Sequence, residues 1–164
     1  MELRRHFDWK ALFIGLYVLA FAVYIVVGLQ PAEAAEHYNV TGSLSIPSIN
    51  LDTDVTTLTL EGQHLNTPDT IAGSYSESEH KTLLIGHSTT VFTDLHRINL
   101  REQIYYNGDS YEVTAIDMTR KARIDMGELL SSTDRDTLVI MTCAGELLTG
   151  GDATHRLIVT AVKK

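Results

Sequence analysis

The sequence predicts an all-β protein, mainly antiparallel, arranged as a barrel or a sandwich. Short apolar runs recur along residues 40–164, several of them alternating with polar residues, and Gly, Asn, Asp and Pro separate them. Helical periodicity is confined to brief stretches, and strands do not alternate with helices as a parallel βαβ sheet requires. Barrels and sandwiches share this pattern, so it does not distinguish a closed sheet from an open one.

The first half of this region contains four predicted strands. The first alternates polar and apolar side chains until Pro47, because proline cannot donate a hydrogen bond within a central strand. The fourth (KTLLIGH) is a strongly apolar run that stops at Gly86-His87. The predicted strands are residues 42–46, 51–59, 70–75 and 81–87, with a turn or short helix at 60–69 and a polar loop at 76–80.

The second half contains a hairpin, two short helical segments and two final strands. Asn107-Gly108-Asp109 is a strong hairpin signal between two β-type runs. Phe92, Leu95 and Ile98 recur at helical spacing, which predicts one or two turns of helix. The predicted strands are residues 103–106, 111–118, 137–143 and 156–162, and the second short helix is 125–132.

A membrane segment is predicted before the β region. Residues 11–29 (ALFIGLYVLAFAVYIVVGL) carry no charge, and about 20 such residues cross a bilayer as a helix. Arg4, Arg5 and Lys10 precede the run, so the positive-inside rule places the N-terminus in the cytoplasm. The predicted organisation is a cytoplasmic N-terminus at 1–10, a single-pass transmembrane signal-anchor at 11–29, a linker at 30–39 and an extracytoplasmic domain at 40–164.

A cleaved signal peptide is the alternative to a retained anchor. Ala32-Glu33-Ala34 resembles a cleavage site, although the apolar region of a signal peptide is usually about 7–15 residues and therefore shorter than this one. The domain is exported in both cases.

The charge of the chain argues against nucleic acid as a partner. The net charge is −8, and no basic stripe of the kind that phosphate binding demands is present in the domain. Glu128, Asp134 and Asp136 are interpreted as a solvated acidic loop rather than as a calcium site. The sequence therefore predicts no metal and no cofactor.

The chain has one cysteine, Cys143, in a domain that is predicted to be exported. It has no intramolecular disulfide partner, so it is either buried and inert or kept for its reactivity. Cys143 is the last residue of the predicted strand 137–143, before Ala144-Gly145, and this position puts its sulfur at a rim of the fold. A cysteine nucleophile also needs a base or a cation nearby, because a thiol with a pKa of about 8.5 is mostly protonated at neutral pH.

Two residues are candidates for that partner. His87 closes a buried strand and begins the loop Ser88-Thr89-Thr90, whereas the other histidines lie in polar or N-terminal segments or, like His155, on the strand face opposite Arg156. Arg156 opens the last predicted strand after a glycine-rich loop. If the last two strands are neighbours, its guanidinium lies beside Cys143 and can stabilise a tetrahedral intermediate. A solvated position at a strand edge is the alternative for Arg156.

Together these segments resemble the sortase family. The resemblance is carried by three segments in order: Leu83-Leu84-Ile85-Gly86-His87, Val139-Ile140-Met141-Thr142-Cys143 and His155-Arg156-Leu157-Ile158-Val159. It extends over residues 40–162, since residues 44–49 (LSIPSI) resemble the first strand of the family, and residues 92–95 and Gly108-Asp109 fit its middle. Ser88 stands where the family often has arginine, and Ile140 replaces a common leucine, so the subclass is not assigned.

The resemblance implies a closed eight-stranded β-barrel with one or two short helices after an N-terminal transmembrane helix. It implies that Cys143 is the nucleophile, His87 its proton partner and Arg156 the cation on the oxyanion side, with Thr142 and Ser88 binding substrate. Such enzymes cleave a C-terminal sorting motif of secreted proteins, often Leu-Pro-x-Thr-Gly, through a thioester. They then transfer the acyl group to an amine of a cell-wall precursor or of a pilin.

Two other functions are compatible with the same residues. An exported cysteine hydrolase would form the same acyl-enzyme and release the acyl group to water. A non-catalytic, membrane-tethered β-domain would bind a peptide while Cys143 stays buried and idle.

Overall fold

The computed structural model describes residues 38–61, 64–149 and 152–164, and within them eight strands close into a barrel. Around the barrel the neighbours follow the order β1-β2-β5-β6-β9-β10-β8-β7. The predicted all-β class and the eight-stranded closure are confirmed. The barrel strands are β1 Val40–Ile46, β2 Leu51–Thr57, β5 Ala72–Ser78, β6 Lys81–Ile85, β7 Gln103–Tyr106, β8 Asp109–Arg120, β9 Thr137–Leu147 and β10 Ala153–Lys163, and β3 Leu60–Glu61 pairs with β4 His64–Leu65 outside the barrel.

The barrel is mainly antiparallel, but two of its strand pairs are parallel: β2 with β5 and β6 with β9. The pairing of β6 with β9 matters for function because parallel strands end at the same edge of the sheet. The segments that follow the two strands therefore emerge side by side, although more than fifty residues separate them in sequence.

Side chains of β9 alternate between two apolar clusters. Leu138 and Ile140 point into the barrel core, whereas Val139 and Met141 belong to a smaller cluster on the outer face. The outer cluster is covered by Leu129 and Leu130 and their neighbours. A strand that is apolar on both faces is thus explained by two layers of packing, one inside the barrel and one beneath a short helix.

The tight hairpin between β7 and β8 is confirmed. Asn107 and Gly108 both have positive φ angles, 52° and 86°, as a two-residue turn that matches the strand twist requires. The Oδ1 atom of Asn107 also accepts a hydrogen bond of 2.9 Å from the backbone N–H of Ser43, so the turn is tied to β1.

Short helices connect some of the strands. The predicted helix at 125–132 is confirmed as α1 Met126–Leu130, and the helical spacing of Phe92, Leu95 and Ile98 corresponds to a single 3-10 turn at Leu95–Arg97. Two further 3-10 turns lie at Pro47–Ile49 and Lys121–Arg123.

Several predicted boundaries are wrong. Residues 60–69, predicted as a turn or short helix, contain β3 and β4, and β5 continues through Ser78 into the predicted polar loop. β9 does not end at Cys143 but continues to Leu147, and β10 begins at Ala153 rather than at Arg156. The β9–β10 ladder extends beyond β6, as far as the pair Leu147–Ala153, which is why local sequence at Ala144-Gly145 does not end the strand.

The predicted N-terminus at 1–10, the transmembrane segment at 11–29 and most of the linker at 30–39 lie outside the described residues. No helix within residues 38–61, 64–149 and 152–164 is long and apolar enough to cross a bilayer.

Candidate active site

Cys143 and Arg156 are direct cross-strand partners. They face each other in the antiparallel register of β9 and β10, and residues opposed in this way have Cβ atoms about 4.5–5.5 Å apart on the same face of the sheet. Cys143 is half-buried and unpaired, and the Arg156 side chain is 13% exposed. Cys143 is therefore partly exposed, with a largely buried cation beside it.

His87 reaches the same edge through the parallel pairing of β6 with β9. The ladder pairs Ile85 with Met141, so two further residues along each chain bring His87 alongside Cys143. The hydroxyl of Thr142 donates a hydrogen bond of 2.7 Å to the carbonyl of Gly86, both of them buried. This bond connects the two segments of the chain at a point between the pair Ile85–Met141 and the two candidate catalytic residues.

Gly86 is required at the turn before His87. A Cβ atom at this position would lie 2.7 Å from the ring of Phe92 and 3.3 Å from Val91. The turn is closed by the backbone N–H of Phe92, which donates a 2.9 Å hydrogen bond to the carbonyl of His87. The aromatic ring therefore packs against bare backbone, and this contact holds the start of the His87 loop.

Asp69 is the acidic neighbour of His87. Its Oδ1 lies 3.4 Å from Nε2 of the imidazole, with the carboxylate side chain 80% exposed. The backbone carbonyl of Asp69 accepts a 2.5 Å hydrogen bond from the hydroxyl of Thr90, so the Asp69 segment is attached to the loop after His87. An exposed pair at this distance contributes little to stability, but it lies where it can orient an imidazole.

Arg156 is held by its own strand and by the β9–β10 loop. Its Nη1 donates to the carbonyls of Ala153 at 3.0 Å and His155 at 2.9 Å, and its Nη2 donates to Oδ1 of Asp152 at 2.7 Å. The other carboxylate oxygen of Asp152 accepts a hydrogen bond from Lys121. These hydrogen bonds, first from Lys121 and then from Arg156, hold the pKa of the Asp152 carboxyl well below its usual range.

The three candidate catalytic residues line one cavity of about 320 Å³. Its floor is the strand pair β6–β9, and Asp152 closes one side next to Arg156. The residues that line it are Thr67, Ile85, Gly86, His87, Met141, Thr142, Cys143, Asp152 and Arg156.

Cys143 also borders a second cavity of about 360 Å³ on its other side. Hydroxyl and apolar side chains line this space, including Ser88, Thr93 and Leu147. His96 lines it too, and its Nδ1 lies 3.0 Å from the carbonyl of Thr93, so this nitrogen carries the hydrogen. Cys143 therefore borders two cavities.

The structure brings His87, Cys143 and Arg156 together, and their catalytic roles stay predictions. Thr142 is 3% exposed and its hydroxyl is bonded to Gly86, which suits a positioning residue, whereas Ser88 lies on the second cavity. Neither cavity is lined by His155, whose Nδ1 is 2.8 Å from the hydroxyl of Thr154.

Sequence reasoning missed Asp69, Asp152 and Lys121. Asp69 follows a proline in what looked like a turn, and no local pattern links it to His87. Asp152 stands four residues before Arg156 in a glycine-rich loop, a spacing that is informative only when the loop geometry is known. Lys121 belongs to a distant connection, so no sequence signal could have placed it there.

Glu128, Asp134 and Asp136, which the sequence predicts to form a solvated acidic loop, are dispersed. Asp136 pairs with His80 at 2.7 Å and with Lys163 at 3.6 Å, whereas Glu128 and Asp134 line a separate cavity beside α1. Among the residues that the structure describes, no three His, Cys, Asp or Glu side chains are grouped so as to hold a metal ion.

Comparisons with known proteins bear on the family and the fold of the chain. The family model described as "Sortase domain" matches residues 44–164. Sortase A from Corynebacterium diphtheriae (a lid mutant) is 23% identical, with a TM-score of 0.58 over 83% of this chain and 75% of that one. Group B Streptococcus pilus island 1 sortase C2 is 20% identical, with a TM-score of 0.60 over 79% and 76%. Sortase A from Listeria monocytogenes is 18% identical, with a TM-score of 0.58 over 76% and 87%.

No curated protein sequence matches the chain. The structural neighbours, at these identities, establish the fold, and they include sortases of classes A and C. The family model covers most of the described domain, including all three segments on which the resemblance rested. The chain therefore belongs to the sortase family, whose members are cysteine transpeptidases.

Proposed function

We propose that this sortase cleaves a C-terminal sorting motif similar to Leu-Pro-x-Thr-Gly in secreted proteins and joins the acyl fragment to an amine of the cell wall or of a pilin. The observation that carries the proposal is the common cavity of Cys143, His87 and Arg156 at one edge of the barrel. A nucleophile, a proton donor and a cation are the groups that amide exchange requires.

In the proposed reaction the thiolate of Cys143 attacks the carbonyl carbon of the motif threonine. Arg156 donates hydrogen bonds to the oxyanion of the tetrahedral intermediate. His87 then gives its proton to the departing glycine amine, the C–N bond breaks, and a thioester to Cys143 remains. An acceptor amine attacks the thioester, loses a proton to His87 and releases the thiolate, so that one amide replaces another without a cofactor.

The second cavity offers a place for the acceptor amine. An acyl group bound on the His87 and Arg156 side leaves the space lined by Ser88, Thr93 and His96 open for a nucleophile. Its hydroxyl groups offer hydrogen-bond acceptors to an amine. Pilin amines are included as acceptors because one similar structure, the group B Streptococcus enzyme, is named for a pilus island.

Mass spectrometry of the purified full chain tests the proposal. Incubation with a Leu-Pro-x-Thr-Gly peptide should add the mass of the fragment ending in threonine to Cys143, and Cys143→Ala should show no adduct. With an added amine the released product should be the new amide. A free acid in the presence and absence of amine would identify a hydrolase, and peptide binding without any adduct would identify a binding domain.

We also propose that residues 11–29 anchor the protein in the cell membrane as a single span, with the catalytic domain on the extracytoplasmic face. The support is the uncharged length of this segment and the basic residues before it. The intact mass of the membrane-extracted protein should include residues 1–34. A mass that begins after Ala34 would show cleavage and overturn the anchor.

A further inference from the structure

The carboxylate of Asp152 is shared by two cations, Arg156 and Lys121. Oδ1 of Asp152 accepts from Nη2 of Arg156 at 2.7 Å and also from the backbone N–H of Ala153 at 2.8 Å. Oδ2 accepts from Nζ of Lys121. Asp152 is thus bound at both oxygens, and its position is set by three donors from two segments of the chain.

This arrangement determines which N–H groups of Arg156 face a substrate. A guanidinium has five N–H groups, and three of those of Arg156 serve the internal bonds to Ala153, His155 and Asp152. Within the part of the chain that the structure describes, the other two N–H groups have no partner, so they are the ones available to a substrate oxygen. Since the planar group is fastened along one edge, the direction of its other edge is fixed relative to β10, and Arg156 lines the same cavity as Cys143.

The shared carboxylate also determines the net charge beside Cys143. An isolated Arg–Asp pair is neutral overall and would attract a thiolate or an oxyanion weakly. Lys121 adds a second positive charge to the same carboxylate, so the cluster of Lys121, Asp152 and Arg156 carries one net positive charge. Asp152 remains ionised throughout the working range of pH because both cations hold the pKa of its carboxyl low.

We propose that Asp152 is a positioning residue for Arg156, and that Lys121 shares its carboxylate so that the guanidinium keeps its positive field at Cys143. Lys121 lies in the 3-10 turn Lys121–Arg123, which leads into α1. The β8–β9 connection is thereby tied electrostatically to the catalytic edge. The inference rests on the proposed role of Arg156.

The two residues make opposite predictions for the reactivity of the thiol. Lys121→Met leaves Asp152 to neutralise Arg156, so the pH midpoint for alkylation of Cys143 by iodoacetamide should rise by about 0.3–1 pH unit. Asp152→Asn removes a negative charge, so the midpoint should fall or stay unchanged. Turnover of the sorting peptide should nevertheless fall about tenfold in Asp152→Asn, because the guanidinium loses its orientation.

The experiment measures the pH midpoint for alkylation of Cys143 and the turnover of the sorting peptide, both in the full-length protein. Other titratable groups near the sulfur, His87 and Asp69 on one side and His96 on the other, are the same in all variants. Lys164→Met is the matched control: it removes the exposed pair with Glu112 at the opposite end of β10 and should change neither quantity. Asp152→Glu should recover part of the lost turnover, which simple unfolding would not explain.

The outcomes separate the inferred roles of Asp152 and Lys121 from the proposed substrate. Alkylation needs no peptide, so a raised midpoint in Lys121→Met without a raised midpoint in Asp152→Asn supports the inference even if the sorting peptide is not cleaved. Equal midpoints in wild type, Lys121→Met and Asp152→Asn would overturn it. A midpoint shift in the same direction in both variants would also overturn it, since that result indicates general loosening of the site. Wild-type turnover in Asp152→Asn would exclude the positioning role.

Discussion

Thr142 connects the segment after β6, which carries His87, to β9, which carries Cys143. Its hydroxyl bonds to the Gly86 carbonyl, one residue before His87, and Thr142 itself precedes Cys143. The Thr142 hydroxyl contacts neither the His87 imidazole nor the Cys143 sulfur, but the position of one relative to the other depends on its hydrogen bond.

Replacing Thr142 by valine should lower both stability and acylation. The shape is kept, but the buried carbonyl of Gly86 loses its donor, which costs about 1–3 kcal/mol. Urea denaturation and the rate of thioester formation measure the two effects. Thr142→Ser retains the hydroxyl and should behave nearly as the wild type, and equal loss in both variants would contradict the role of the hydrogen bond.

Arg156 and His155 provide a second test at this scale, because adjacent strand residues point to opposite faces. Arg156→Ala should reduce turnover by about 10²–10³-fold, as loss of an oxyanion donor does elsewhere. His155→Ala should have a much smaller effect, since His155 lines neither cavity beside Cys143. If the His155 variant were as damaging as His87→Ala, the assignment of His87 as proton partner would be wrong.

At the scale of elements, α1 covers the outer apolar cluster that leads along β9 toward Cys143. Leu129 and Leu130 pack against the cluster of Val139, Met141 and Ile158. The helix is short, so its N-cap matters: Oδ1 of Asp125 accepts from the backbone N–H of Gly127 at 2.9 Å and of Glu128 at 3.3 Å.

Asp125→Ala should therefore loosen this cover. Loss of the cap costs about 0.5–2 kcal/mol of helix stability. Because Met141 of this cluster also lines the catalytic cavity, we expect KM for the sorting peptide to rise several-fold. The alkylation rate of Cys143 should change little, since Cys143, His87 and Arg156 keep their neighbours. Asp125→Ser keeps a capping oxygen and serves as the control. An unchanged KM in Asp125→Ala would show that the cover formed by α1 does not affect the peptide site.

At the scale of the whole molecule, ion pairs join the ends of the barrel strands. His80 and Lys163 lower the pKa of Asp136, and Lys164 lowers that of Glu112. A lowered folded pKa stabilises the fold above the unfolded value of about 4, and this contribution is lost as pH falls through the folded value. Thermal stability should therefore be level from neutral pH down to about 4.5 and decline below about 4.

At alkaline pH the relevant pKa values are raised in the folded protein, so stability falls as pH rises. Burial raises the pKa of Tyr111, and a hydrogen bond to Asp109 raises that of Lys163. Their contribution is complete below the unfolded values of about 10 and is lost as pH rises through the folded ones. Thermal melts from pH 2 to 11 test both limbs. Asp136→Asn should flatten the acid limb, and an identical acid limb in this variant would contradict the assignment.

The sequence by itself determined the β class, the hairpin at Asn107-Gly108, the short helix α1 and the three residues that the candidate site requires. These depend on local alternation, turn chemistry and the order of motifs, all of which are carried by neighbouring residues. The tertiary structure decided the barrel closure, the parallel pairing of β6 with β9 and the full length of β9 and β10. It also decided the bonds that tie Asp69 to His87 and Asp152 to Arg156, because contacts between distant segments depend on register and loop path, which no local pattern encodes.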